Sequence, residues 1–370
     1  MSGFSRFTPL VNGLPSTVPF VGPEAIERQR GLAVRARIGA NESGFGPAPS
    51  VLAAIGRQAG ETWMYNDPEN FELREALALH HGVSRDNIAV GCGIDGLLGE
   101  IVRMVIEPGA AVVTSLGGYP TFNYHVNGYG GRLVTVPYVN DREDLDGLLE
   151  AARREDAPLV YLANPDNPMG SWWDADSVTA FARALPDRSL LILDEAYCET
   201  APAGSTPSID ALIGLPNVLR MRTFSKAYGL AGARVGYAIA TLGNAQAFDK
   251  IRNHFGMARI STVAALAALG DRAYLEDVVG RIAAARDRIA GIARKNGLTP
   301  LPSATNFVAI DAGGDGTHAR AIVDGLMEHG VFIRMPGVAP LNRCIRVSVG
   351  PSAELDLFEE ALPKVLRAAR

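Results

Sequence analysis

Lysine is the scarce basic residue of this sequence. Only Lys226, Lys250, Lys295 and Lys364 occur among its 35 Lys and Arg positions. Three of the four fall in amphipathic, helix-like stretches, where a solvated lysine is ordinary. Cysteine is nearly as rare. Cys92, Cys198 and Cys344 are odd in number, far apart and in no CxxC pair. That excludes a disulfide framework, leaves no cysteine/histidine cluster for a metal, and points to a reducing, cytoplasmic setting. No apolar run reaches the ~18 residues of a membrane span. Residues 1–19 show no basic region leading into an apolar core, so neither a membrane partner nor a secretory signal is expected. A net charge of −5 over 370 residues offers no basic surface to nucleic acid or anionic lipid.

What is present is an alternation of short apolar runs with helical patterns. Runs at 87–91, 111–115, 132–136, 159–163, 190–194 and 218–222 are of strand length, and several are almost wholly apolar. Such runs suit strands covered on both faces of a largely parallel sheet, so an α/β fold is expected. Ligands of such sheets bind beyond the carboxyl ends of the strands. The polar groups that follow these runs fall there: 93–95, 120–124, 164–167, 194–197 and 223–226. A long helical region from 245 to 296, broken near 254–261 and 271, leads into a smaller α+β unit. That unit has strands at 306–310, 331–334 and 344–349 and helices at 317–329 and 353–367. Residues 1–48 read as a Gly/Pro-rich arm with a turn-dense segment, Asn41 to Pro47.

Lys226 is the exception among the lysines. It lies in Arg222-Thr223-Phe224-Ser225-Lys226-Ala227-Tyr228-Gly229, among hydroxyls, small residues and glycines, with Arg234 beyond. Lysine is the side chain that forms a Schiff base with an aldehyde. Thr223, Ser225 and Arg234 offer donors suited to a phosphate. An amine beside a phosphate site suggests pyridoxal phosphate (PLP), which also needs a charge partner for its ring nitrogen, a partner for its phenolic oxygen and a ring stack. Asp194 can serve the nitrogen, Asn167 and Tyr197 the phenolic oxygen, and Phe122 or Tyr119 the stack. The backbone N–H groups of Ile94 and Asp95, at a helix start, can join Ser225 and Arg234 at the phosphate. Lys226 is also placed to shuttle a proton at the substrate Cα, with Asp194 and Tyr197 completing the catalytic set.

These motifs, together with Asn164-Pro165-Asp166-Asn167-Pro168-Met169-Gly170, Asp194-Glu195-Ala196-Tyr197, Asn306-Phe307 and Ile345-Arg346-Val347, resemble the fold-type-I PLP aminotransferases. The histidinol-phosphate aminotransferase-like branch is the nearest in pattern. The resemblance implies an aspartate-aminotransferase-like fold with a mostly parallel seven-stranded sheet in a large domain (residues 49–270). A small α+β domain would follow (271–370), with residues 1–48 as arm and small-domain part. It implies Phe122 as the ring stack, and Tyr65 as a residue that reaches the phosphate of a second subunit in a homodimer. It implies Phe20, Asn41, Arg334 and Arg346 as substrate-binding positions, with Arg346 meeting the substrate's acidic group. The implied partners are an amino donor and a 2-oxo acid. Departures at Phe20, Ser43, Met169 and Met335, and the unusual loop 254–259 with Arg259, keep aromatic amino acids open as donors. A decarboxylase or lyase of the same fold is the other alternative.

Overall fold

Strand-length apolar runs dominate the centre of this chain, and in the computed structural model, which describes residues 6–16 and 21–368, each becomes a strand, buried except for the partly exposed run at 132–136 at the edge of the large sheet. Twelve strands occur among the described residues: β1 (Ala36–Arg37), β2 (Ile88–Gly91), β3 (Ala111–Ser115), β4 (Arg132–Val136), β5 (Leu159–Ala163), β6 (Leu190–Asp194), β7 (Val218–Thr223), β8 (Gly236–Ile239), β9 (Thr299–Pro300), β10 (Phe307–Asp311), β11 (Val331–Phe332) and β12 (Cys344–Ser348). Seven form the large sheet, in the order β2-β8-β7-β6-β5-β3-β4. The β7-β6-β5-β3-β4 block is parallel throughout. To the large sheet the structure adds one strand that the sequence pattern did not mark. β8 runs antiparallel to both β7 and β2.

Side chains alternate across the sheet as the strand period of two requires. Val113, Val160, Leu162, Leu191 and Leu193 pack on one face against Leu145, Leu148 and Phe181. Val112, Leu159, Tyr161 and Ile192 face the other way, towards Leu97, Leu98, Ile101 and Val102. The latter come from helix Gly93–Val105, whose buried positions 94, 97, 98, 101 and 102 trace a single helical stripe. Helix Ala175–Ala184, which supplies Phe181, starts where Asp174 accepts from the N–H of Ser177 at 2.8 Å. No helix among the described residues is long and apolar enough to cross a membrane.

A second core gathers around β10. The three-stranded antiparallel sheet β12-β10-β9 and the parallel pair β1-β11 share an apolar cluster. Ile282, Ile289, Ile310, Ile322, Leu326, Val347 and Phe358 lie in it with Ala36 and Ile38 of the N-terminal segment. Residues from both ends of the chain therefore build one core.

Just behind the large sheet's edge lies a buried ion triad that carries no apolar signature. Glu195 accepts from Arg220 at 2.7 and 3.1 Å and from Arg222 at 3.0 Å. The Glu195 and Arg220 side chains are 1% and 2% exposed. Arg220 also donates to the carbonyls of Pro207 and Ser208. Removing one partner strands the others without water, so Arg220→Ala should lower the unfolding free energy by about 3–5 kcal/mol, read as a lower urea midpoint.

Candidate active site

Register fixes where the site can be. Ala163 pairs with Asp194, Asp194 with Met221, Thr223 with Gly236, and Gly236 with Gly91. The segments leaving β5, β6 and β7, and those flanking β8 and β2, therefore share one edge. A cavity of about 260 Å³ lies there, lined by Ile94, Asp95, Tyr119, Asn167, Asp194, Tyr197, Thr223, Ser225, Lys226 and Arg234. It adjoins a wider chamber of about 610 Å³. Both are lined by Ala40, Asp95, Tyr119, Asn167 and Lys226, and the outer one reaches Arg334 and Arg346.

Lys226 is half-buried, and its Nζ donates to the carbonyl of Asn41 at 3.2 Å. Desolvation brings its pKa down to about 8; Arg346 and Arg234 act in the same sense, while Asp95 and Asp194 oppose them. Asp194 is 5% exposed. Its Oδ2 accepts from the Tyr161 hydroxyl at 2.7 Å and its Oδ1 from the N–H of Ala196 at 3.0 Å. Burial nevertheless raises its pKa to about 6. Tyr197 is also buried; its hydroxyl accepts from Asn41 Nδ2 at 3.1 Å, and burial pushes the phenol upward.

At another part of the inner chamber, Arg234 donates to Ser225 Oγ at 3.3 Å and lies 3.5 Å from Asp95. The Thr223 hydroxyl accepts from the N–H of Ser225 at 3.1 Å and donates to its Oγ at 3.0 Å. The wall here is bare by design of the backbone. A Cβ on Gly93 would collide with the Arg234 guanidinium, and one on Gly236 would lie 2.6 Å from the nitrogen of Ile94. Ile94 and Asp95 stand in the first turn of their helix, where N–H groups have no partner within the helix.

In the outer chamber, Arg346 donates to Asn167 Oδ1 at 2.5 Å and lies over the Phe307 ring. Its Nε is buried with no partner, and burial lowers its pKa to about 10. Arg334 pairs with Arg346 through main-chain hydrogen bonds in both directions and donates to the carbonyl of Val21 at 2.9 Å. Leu116, Pro120, Met335 and Val338 supply apolar wall. Asn41 lines this chamber with its side chain already engaged. Besides Tyr197, it accepts from Ser348 Oγ at 3.1 Å, and its carbonyl accepts from Asn306 Nδ2 at 3.0 Å. Its φ of 56° is left-handed, which asparagine tolerates.

One expected position falls elsewhere. Phe122 does not line either chamber: it is wholly buried and stacks on Tyr161 at 4.6 Å, 18° from parallel. Helix Pro120–Gly128 turns position 122 inward, while Tyr119, just before it, lies on the cavity wall. Tyr65 is 78% exposed against Phe255, away from both chambers of its own chain. Phe20 lies outside the described residues. Met169 is buried with Leu341 and Cys344 and touches neither chamber, and Arg259 pairs with Glu61 at 3.3 Å. Tyr161 went unnoticed in the sequence, although a phenol in the middle of the apolar run Leu159–Ala163 was the available signal.

The raised titration of Asp194 has a sign that stability reports. A carboxyl whose folded pKa exceeds its unfolded value contributes fully below about 3.8, and the contribution is lost as pH rises through about 6. Asp194→Asn escapes that loss. In melts of ligand-free protein from pH 4 to pH 8, the variant should gain on wild type by up to about 3 kcal/mol, with the whole gain appearing below pH 7.

The model of the family "Aminotransferase class I and II" matches residues 37–362. Histidinol-phosphate aminotransferase 2 of Methylococcus capsulatus is 34% identical, covering 99% of this chain and 100% of that protein. Histidinol-phosphate aminotransferase of Geobacillus sp. is 30% identical, covering 96% and 97%. The crystal structure of histidinol-phosphate aminotransferase from Sinorhizobium meliloti, in complex with pyridoxal-5'-phosphate, superposes with a TM-score of 0.97 at 68% identity over the full length of both chains. Aspartate aminotransferase from Thermus thermophilus with maleate, at 22% identity and a TM-score of 0.81, shares the fold. On the family match and these near full-length relatives, the chain belongs to the class I and II aminotransferases.

Proposed function

We propose that this chain is a PLP-dependent aminotransferase that moves an amino group from histidinol phosphate to a 2-oxo acid. The observation that carries the reading is one chamber lined by a desolvated amine, a buried carboxylate and a Ser/Arg anion cradle, opening on a second chamber with two arginines. The inner residues fit the cofactor. Gly93 and Gly236 leave the cradle free of Cβ atoms, Ser225 and Arg234 offer donors for a phosphate, and Asp194 offers a carboxylate for a ring nitrogen. Bound there, PLP supplies an aldehyde that exchanges with amines and a ring that draws electrons from the substrate Cα.

The chain's own groups do the rest. Asp194, titrating near 6, is an anion at neutral pH and holds a proton at the ring nitrogen. Tyr197 and Asn167 are placed for the phenolic oxygen. Lys226, with a pKa near 8, has roughly a tenth of its amine neutral at pH 7 and would take the proton from the substrate Cα. Arg346, whose Nε has no protein partner, receives the substrate's anionic group with Arg334 beside it. Tyr119 is the stacking ring in this reading. Residues 49–270 form a large domain and 271–370, with the N-terminal 48, a small one. Tyr65, turned away from its own chambers, serves the phosphate of a second copy in a homodimer.

The apolar stretch Leu116, Pro120, Met335 and Val338 favours a second reading, in which an aromatic amino acid is the donor. A donor screen with 2-oxoglutarate decides between them: histidinol phosphate should be preferred over phenylalanine and tyrosine by kcat/KM, and the reverse order selects the aromatic reading. Wild-type protein should carry a visible absorption band that Lys226→Ala lacks, together with its transaminase activity. A colourless wild type that takes up no PLP would refute the proposal. Arg346→Ala should raise the donor KM by about 30-fold or more, the loss of a desolvated charge pair.

A further inference from the structure

Tyr161 spends a buried phenol where phenylalanine would fill the same space. It stands on β5, 1% exposed, in a run otherwise made of Leu, Val and Ala. A hydroxyl in such a position is costly unless it is bonded, and its bond is to one atom, Asp194 Oδ2 on the neighbouring strand, at 2.7 Å. The ring itself is clamped. Phe122 stacks on it at 4.6 Å and is wholly buried, so the phenol has one direction in which to point. The other carboxylate oxygen is held by the N–H of Ala196. Asp194 is thus held at both oxygens, while Tyr161 and Asp194 both line the inner chamber.

We infer that Tyr161 is a positioning residue: held by Phe122, its hydroxyl fixes the Asp194 carboxylate in place and in its charged form for the cofactor's ring nitrogen. The inference rests on the cofactor reading above. Tyr161 is suited to the task because burial keeps its own phenol well above the ordinary range, so at any working pH it donates. The other charged or titratable groups around Asp194 are Asp95 and Tyr119 on the chamber wall, Lys226 after β7, Tyr197, and Glu143 behind the strand ends. Asp95 works against the carboxylate's charge and Lys226 for it. Tyr161 is the side chain that hydrogen-bonds the carboxylate, and its loss leaves the burial penalty opposed only by Ala196 and Lys226.

The test is the affinity of the full-length chain, freed of cofactor, for added PLP between pH 5 and pH 8. Wild-type affinity should fall on the acid side of about pH 6. Tyr161→Phe should bind PLP about tenfold more weakly at pH 7, the loss of one hydrogen bond to a charged group, and its acid limb should move towards neutrality. Phe122→Leu keeps the hydroxyl but frees the ring, and should move the limb the same way by less. In an Asp194→Asn background, Tyr161→Phe should change affinity by less than about twofold. Tyr161→Phe binding within twofold of wild type, with an unmoved limb, overturns the inference. So does an equal loss with and without Asp194, which marks a merely structural role. If Tyr161→Phe does not fold, an unmoved limb in Phe122→Leu is the overturning result. If Asp194→Asn binds PLP as wild type does, the cofactor reading itself fails; if it binds weakly and Tyr161→Phe does not, only the present inference fails.

Discussion

The parallel hydrogen bonding of β5, β6 and β7 sets Ala163 beside Asp194 and Asp194 beside Met221, and the rest of the site is a consequence of that register. Three chain segments leave the sheet at one edge within a few ångströms of each other. β8 joins them from the opposite direction with Gly236 facing Thr223, which brings Arg234 back to the same edge. A slip of one residue in β5 or β6 would turn Tyr161 or Asp194 to the other face of the sheet and break their hydrogen bond. The buried Glu195 triad stiffens the joint between β6 and β7, one residue beyond Asp194.

Desolvation is the second common thread. Lys226, Asp194 and Arg346 are all pushed towards their neutral forms by burial; Lys226 and Asp194 pull each other back, and Tyr197 and Asp166 do the same for Arg346. The amine is thereby poised near neutrality, while the carboxylate is kept charged by hydrogen bonds and a nearby cation. The chambers differ in kind. The inner one is polar and backbone-lined at its cradle; the outer one sets two arginines against an apolar wall. Such a division suits a ligand held permanently and another that comes and goes.

Much of this was legible from residue order alone. Five-residue apolar runs declare buried parallel strands, and polar residues after each run declare the edge where ligands gather. The small unit and the breaks in the long helical region were equally plain, because helix and strand periods are local properties. What escaped were properties of packing. β8 holds only four residues and opens on a glycine, so it looks like loop until β2 and β7 flank it. Phe122 and Tyr119 are three residues apart in one turn of chain, and only the inward facing of helix Pro120–Gly128 separates the wall residue from the buried one. Tyr161 hides in an apolar run because its partner is thirty-three positions away.

Asn41 joins the two cores by a single residue. Four positions before it, Ala36–Arg37 pairs with β11 of the small sheet, while its own carbonyl receives the amine of Lys226. The resting position of that amine is therefore geared to the small sheet and not only to the strand that carries it. A shift of about 1 Å in the N-terminal segment would stretch the 3.2 Å contact beyond hydrogen-bonding range and release the lysine towards the chamber.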